Sequence, residues 1–412
     1  MKVDIVIGAG FGDEAKGLTT DALASRARAA GHAVCVVRFN GGAQAGHTVQ
    51  LPQGTRHVFH HFGAGSLAGV ATHLGQRFVV HPMLFGVELD ALRALGANVD
   101  MTIDPRAPVT LPCDVAINQA IEQQRGSARH GSCGVGFGEA VHRNETGHPD
   151  HRLALGQMAG MSIDQLHARW QHISHTYVPD RLRALGLPAT AIADWDRQEV
   201  FERFVFDCQR LLSHAALAVP GVLSFDHFIL EGAQGLALDE ELGEFPFVTR
   251  SKTGLPWAIE FLHQLPVPNL QATAWYLTRA YATRHGAGPF TGEGHWRPGG
   301  FADPTNQPNA FQGSLRVAPL DPGALSGRIQ QDLDRIQSLR GQLHITPALS
   351  VSCLDQMEGC VPLADGRQVP APLFTRWLAA RLDIDQVMES WGPTRDTFCV
   401  PRVVHVPAPS LA

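Results

Sequence analysis

The chain begins with an apolar run that breaks into glycines and re-emerges as a helix. The segment is Ile5-Val6-Ile7-Gly8-Ala9-Gly10-Phe11-Gly12-Asp13-Glu14-Ala15-Lys16-Gly17, followed by a helical pattern from Leu18 to Ala30. A strand that passes through Gly-rich backbone into a helix aims unpaired N–H groups and the positive end of a dipole at one spot, which suits phosphate. Asp13 adds a base or metal ligand to that loop, and Lys16 adds a cation. The Walker A pattern fails, because Lys16 lies between Ala15 and Gly17 rather than between Gly and Ser or Thr. A dinucleotide-binding turn fits Gly8-Ala9-Gly10 but misplaces the third glycine. The next strand, Ala33 to Val37, then runs into Arg38-Phe39-Asn40, where an acid should meet a ribose.

Short β-rich runs alternate with helical patterns along the chain. Strands are expected at Val3–Ile7, Ala33–Arg38, Arg77–Val80, Phe228–Glu231, Ala272–Ala280 and Ala348–Leu354, and helices at Lys16–Ala30, Pro82–Leu95, Ile163–His175, Asp194–Ala218 and Ala324–Leu339. This alternation predicts an α/β fold, a large and mostly parallel sheet flanked by helices. The 412 residues allow two or three domains by length. The motifs described below favour one P-loop-NTPase-like domain over 1–399, with a helical insertion at about 100–220. Residues of about 290–325, rich in Gly, Pro, Asn and Gln, read as a lid, and 400–412 as a surface tail.

A net charge of −6 gives no basic field for nucleic acid or a membrane surface. No run approaches the ~18 apolar residues that span a bilayer, and the N-terminus enters a strand with no signal-peptide pattern. Seven cysteines without Cys-x-x-Cys spacing read as free thiols in a reducing cytoplasm. Among 21 histidines, the cluster His57-x-x-His60-His61 lacks a Cys or carboxylate at ligand spacing and reads as surface or packing residues.

Several ordered blocks carry a family resemblance. Gly12-Asp13-Glu14-Ala15-Lys16-Gly17 resembles the Gly-Asp-Glu-Gly-Lys-Gly signature of adenylosuccinate synthetases, with one Gly→Ala change. Gly41-Gly42-Ala43-Gln44-Ala45-Gly46-His47-Thr48-Val49 is similar to that family's Gly-Gly-x-Asn-Ala-Gly-His-Thr-Val. Glu231-Gly232-Ala233-Gln234-Gly235 with Pro246-Phe247-Val248-Thr249, the block Ala280 to Phe290, Leu354-Asp355 and Gly392-Pro393-x-Arg395 follow in family order.

The resemblance implies a GTP-dependent C–N ligase that phosphorylates the 6-oxo group of IMP and couples L-aspartate, giving adenylosuccinate. The alternative is a diverged paralogue using another amine or another oxopurine nucleotide. Oxide is a poor leaving group, so such a site needs a base for the ring N–H, a cation on the phosphoryl group and donors for the displaced oxygen. Asp13, which also suits a helix cap, is implied as base and Mg²⁺ ligand, with the Gly46 carbonyl as second metal contact. Lys16, His47 and Gln234 are implied as further catalytic residues. Nucleotide contacts are implied for Gly12, Glu14, Ala15, Gly17, Gln44, Thr48, Cys133, Thr249, Arg316, Asp355 and Gly392, and a homodimer in which Arg143 reaches the partner's nucleotide. A carboxylate pairs with guanine's N1–H and 2-amino donors, so Asp355 favours GTP over ATP.

The departures cluster. Ser132-Cys133-Gly134-Val135-Gly136 keeps the glycines of a family phosphate loop and loses a cation and a hydroxyl, and Cys353 replaces a lysine. In Ala310-Phe311-Gln312-Gly313-Ser314-Leu315-Arg316, Ser314 stands where the family's arginine clamps the amino acid. Losing a bidentate clamp costs on the order of several kcal/mol unless it is replaced. Arg250 and Lys252 are the candidate substitutes.

Overall fold

The apolar run before the glycines forms β1, Lys2–Gly8, buried from Val3 onward. Strands without apolar–polar alternation take this place when helices cover both faces of a sheet. The computed structural model describes the chain except residues 98, 147, 295, 297, 300, 302–305, 307–312, 340, 400–401 and 404–412. β1 lies inside a ten-stranded sheet whose other members are β2 Val34–Arg38, β3 Ala71–Leu74, β4 Met101–Ile103, β5 Ala216–Leu217, β6 His227–Gly235, β7 Gln271–Arg279, β8 His344–Ser352, β9 Gln386–Glu389 and β10 Arg402–Val403. Their spatial order is β10-β9-β8-β7-β1-β6-β2-β3-β4-β5. Neighbours are parallel except β9 and β10. Later strands add on both sides of β1, so the crevice beyond its carboxyl end is a topological switch point, where open α/β sheets bind ligands.

Eleven helices cover the sheet among the described residues: α1 Lys16–Ala29, α2 Pro82–Ala94, α3 Pro112–Arg125, α4 Phe137–Glu145, α5 Leu155–Ala159, α6 Ile163–His175, α7 Tyr177–Ala184, α8 Gln198–His214, α9 Leu255–Leu262, α10 Pro322–Arg335 and α11 Ala371–Leu382. One apolar core joins the sheet centre to α9–α11 through residues such as Ile5, Tyr276, Leu349 and Phe374. Another fills the region of α2–α8 around Phe85, Met101, Trp170 and Phe204. None of the helices is long and apolar enough to cross a membrane, and all seven cysteines are free.

The strand expected at Arg77–Val80 is present as Phe78–Val79, with Val80 bridging Val109, but it lies outside the main sheet. Phe78–Val79 pairs only with Gly41–Gly42, and the sheet strand is β3. Its Thr72 and His73 are buried, and their polar atoms are satisfied there: Thr72 Oγ1 accepts from the Gly63 N–H and His73 Nδ1 meets Thr102 Oγ1 of β4, both at 2.9 Å. The insertion is helical through α3–α8 but begins and ends in β4 and β5, which extend the sheet edge. In the expected lid, Arg316–Ala318 pairs with Ala282–Arg284, while 302–305 and 307–312 lie outside the described residues, as does most of the expected tail.

Candidate active site

The loop after β1 is shaped by two backbone demands. Gly12 has φ +110°, and a Cβ there would stand 3.1 Å from the Cα of Gln234. Ala15, the residue before α1, takes the left-handed conformation and caps the helix with no side chain. The first N–H groups of α1 therefore remain available to an anion at the helix start. Glu14 folds into the loop, where its Oε1 accepts from the Gly12 N–H at 2.8 Å. A Cβ on Gly8 or Gly10 would collide with that carboxylate. The Glu14 side chain is thus an internal brace of the loop and does not line the cavity described next. Lys16, also buried, donates its Nζ to the Gly12 carbonyl and lies 3.5 Å from Glu14 Oε2.

Asp13 leads out of this loop into a cavity of about 390 Å³. Its Oδ2 accepts from Asn306 Nδ2 at 2.9 Å, with His285 Nε2 at 3.5 Å, and Arg279 Nη2 stands 3.5 Å from Oδ1. His285 is itself 2.8 Å from Asn306 Oδ1. The carboxylate therefore sits among donors drawn from three separate segments.

His47 enters the same cavity from a hairpin, His47–Gln50 paired with Arg56–Phe59. Its Nδ1 donates to Glu231 Oε1 at 2.7 Å, within β6. Glu231 Oε2 accepts from the Ala64 N–H at 3.1 Å and faces buried Arg38 at 3.9 Å. Burial would raise the Glu231 carboxyl, but His47, Arg38 and the Ala64 N–H hold it below the usual range. Burial, then Arg38, pushes the His47 imidazole down to about 4, against the pull of Glu231. At neutral pH His47 is therefore the neutral tautomer with its proton on Nδ1. Its buried Nε2 has no hydrogen-bond partner among the described residues. Nε2 is thus an acceptor until it takes a second proton.

The cavity gathers Gly12, Asp13, Ala15, Lys16, Gly17, Gly46, His47, Thr48, Asp355 and Gly392 of the expected residues. Gln234, Gln44, Cys133, Thr249 and Arg316 do not line it. Gln234 packs on Gly12 in a left-handed conformation, φ 63°, a strain that non-glycine residues hold chiefly at functional sites. The Gln44 amide is buried with both polar atoms lacking partners among the described residues. Arg316 bonds Glu293 at 2.7 Å and the Gly288 carbonyl at 2.9 Å. Arg143 is the plainest correction. It is fully buried, with Nε and Nη2 on Asp114 at 2.9 Å and further bonds to the carbonyls of Val109 and His151. An arginine so enclosed is part of its own chain's core.

A family model described as adenylosuccinate synthetase matches residues 5–331. The chain belongs to the adenylosuccinate synthetase family. Curated adenylosuccinate synthetases from Mycolicibacterium smegmatis and Bacteroides fragilis are each 31% identical, over 71% of this chain and 65% and 66% of theirs. The match thus spans about two thirds of those relatives. The fold is similar to a fully ligated adenylosuccinate synthetase from Plasmodium falciparum, with TM-score 0.70, 17% identity, and 97% and 99% of the two chains covered. It is also similar to a cyanophage S-2L succinoaminodeoxyadenylate synthetase bound to dGMP and dATP, with TM-score 0.57, 14% identity, and 98% and 95% covered.

Sequence reading missed Glu231 as the group that orients His47, although a lone carboxylate in the run Phe228-Ile229-Leu230-Glu231 was a signal. An acid inside a strand buried on both faces must be paired. It also missed Arg279, His285 and Asn306 around Asp13, which three distant segments bring together. The cluster His57, His60 and His61 surrounds Glu88, whose carboxylate accepts from the backbone N–H groups of His60, His61 and Phe62. Its packing reading fits that arrangement.

Proposed function

We propose that the protein is a GTP-dependent C–N ligase that activates the 6-oxo group of IMP by phosphorylation and couples L-aspartate to it. The observation that carries the reading is the convergence of Asp13, on a phosphate-binding loop, and Glu231-braced His47 on one cavity. Asp13 takes the ring N–H proton, which makes the oxo group nucleophilic toward the terminal phosphoryl group. The α1 N-terminus and Lys16 hold the triphosphate. His47 faces the transferring group, and an approaching phosphoryl anion opposes the burial and Arg38 effects that keep the imidazole neutral, so Nε2 gains a proton and becomes a donor. GDP leaves as the oxo group takes the phosphoryl group, and the amine then displaces phosphate and gives up a proton to solvent.

The family implies Mg²⁺, and the donor set fits it. The Asp13 carboxylate and the Gly46 carbonyl, both at the cavity, are hard oxygen ligands of the kind that partly hydrated Mg²⁺ takes. Bound there, the ion would neutralise charge on the phosphoryl group. A homodimer belongs to the same proposal, without the role first given to Arg143.

A second reading, a different amine, is favoured by Ser314. It is exposed where a carboxylate clamp is expected, and Lys252 is engaged with Glu241 at 2.6 Å. Phosphate release would be measured with GTP and Mg²⁺ across a panel of oxopurine nucleotides and amines. Release with IMP only when aspartate is present supports the first reading. Release with another amine and none with aspartate supports the second, and no substrate-dependent release with any pair removes both. Asp13→Asn should lower turnover by about 10²–10⁴-fold.

A further inference from the structure

We propose that His148, His151 and His172 form a binding site for a divalent transition metal, Zn²⁺ by preference, on the helical insertion. Each of the three offers a ligand atom, and these atoms lie within 4.8 Å of one another. His148 precedes the short 3-10 turn Pro149–His151 and His151 ends it, in His-x-x-His spacing, and His172 lies in the last turn of α6. None of them lines the cavity of Asp13 and His47, so the site is separate from the proposed ligase reaction.

The turn is held in place rather than draped on the surface. Arg143 Nη1 donates to the His151 carbonyl at 2.8 Å, and Arg169 Nη1 of α6 donates to the Arg152 carbonyl at 3.0 Å and to that of Pro149 at 3.4 Å. Neighbouring groups also assign ring nitrogens. The Asp150 N–H donates to His148 Nδ1 at 3.3 Å, which leaves Nε2. Thr176 Oγ1 meets His151 Nε2 at 3.0 Å, which leaves Nδ1. His172 Nε2 is buried and has no partner among the described residues.

Charge permits a cation. Arg143 is neutralised by Asp114, and Arg169 faces the Asp150 carboxylate at 3.6 Å. Packing alone explains less. Ring centroids 4.7, 5.7 and 6.0 Å apart crowd three polar rings together and leave a buried nitrogen unused. Three imidazoles suit Zn²⁺ and leave a fourth position for water or another ligand.

The test is titration of the chelator-stripped full chain with Co²⁺, followed by its visible d–d absorption, with Zn²⁺ as competitor. The expected result is one saturable site per chain, with Zn²⁺ displacing Co²⁺ and raising the Tm. H148A, at an exposed position, and H151A/H172A should bind more than about tenfold more weakly, since disturbing even an outer partner of a ligand costs at least that much. H175A, on the same helix, should bind as wild type. No saturable absorption in the wild type, or unchanged affinity in H148A, overturns the proposal.

Discussion

His47 Nδ1 and Glu231 Oε1 are 2.7 Å apart, a contact that ties the cavity-lining hairpin to the centre of β6. A carboxylate can only accept, so the bond fixes one tautomer. Glu231→Gln can present its amide NH₂ to Nδ1 and turn the imidazole over. Turnover is expected to fall on the order of 10²–10⁴-fold, the scale set by losing an orienting carboxylate behind a catalytic histidine. The variant also strands Arg38, whose guanidinium nitrogens have no hydrogen-bond partner among the described residues, at a cost of about 3–5 kcal/mol. R38M/E231Q should recover the stability without the activity. Recovery of both would show that Glu231 serves only to neutralise Arg38.

Gly17 poses two opposing effects. Alanine favours a helix over glycine by about 1 kcal/mol. Yet a Cβ at Gly17 would stand 2.5 Å from the Thr48 carbonyl oxygen and 3.0 Å from the His47 carbonyl carbon. Both are backbone atoms, so the hairpin must move. A displacement near 1 Å at a reacting group costs about 10²-fold in rate, while overpacking costs about 1–3 kcal/mol and the helix gain offsets part of it. Gly17→Ala should therefore lose most of its turnover with a modest drop in Tm. Full activity would mean the helix and hairpin separate without moving His47.

Arg143→Ala distinguishes a core arginine from an arm that serves a partner. Removing it leaves Asp114 buried and unpaired, which costs about 3–5 kcal/mol. The urea midpoint should fall accordingly at every protein concentration. A variant of wild-type stability that loses only nucleotide affinity would return Arg143 to the interface role.

The parallel sheet was legible because its central strands are continuous apolar runs at the expected spacing, and the phosphate loop because glycine and charge occupy fixed places around it. β3, β4 and β5 were not legible. They are short, and their buried polar side chains are satisfied by distant partners that polarity alone conceals, Thr72 by the Gly63 N–H and His73 by Thr102. The candidate-site residues Asp13, Lys16 and His47, which lie in or beside glycine-rich turns, could be read locally. Glu231, Arg279 and Asn306 could not, because their meaning depends on which distant segment folds beside them. Arg143 shows the reverse error. A cation in a helical pattern looks exposed until the acid that buries it, Asp114, is located 29 residues earlier.

Stability should fall as the solution is made mildly acidic. Burial lowers the imidazoles of His47 and His73 to about 4 and that of His81 to about 3, from an ordinary 6.5. A base whose folded pKa is depressed is neutral when folded and takes a proton when unfolded. Between about pH 6.5 and 4 the unfolded chain therefore binds more protons, and stability declines as pH falls through that window. The drop from 6.5 to 4 is worth on the order of 3 kcal/mol per histidine. Asp21 works the other way, since burial outweighs its 2.7 Å pair with Arg395 and pushes its carboxyl up to about 7. His142, half-buried and lowered to about 4 by burial and then Arg181, adds to the histidine side, and the balance of these groups is a net loss. Urea midpoints at pH 7 and pH 5 should differ by several tenths of a molar or more, given slopes of about 1–3 kcal/mol per molar for small proteins and larger for longer chains. His73→Gln should flatten the dependence by one histidine's share. A midpoint that does not change over this range would show that these imidazoles are protonated in the folded protein.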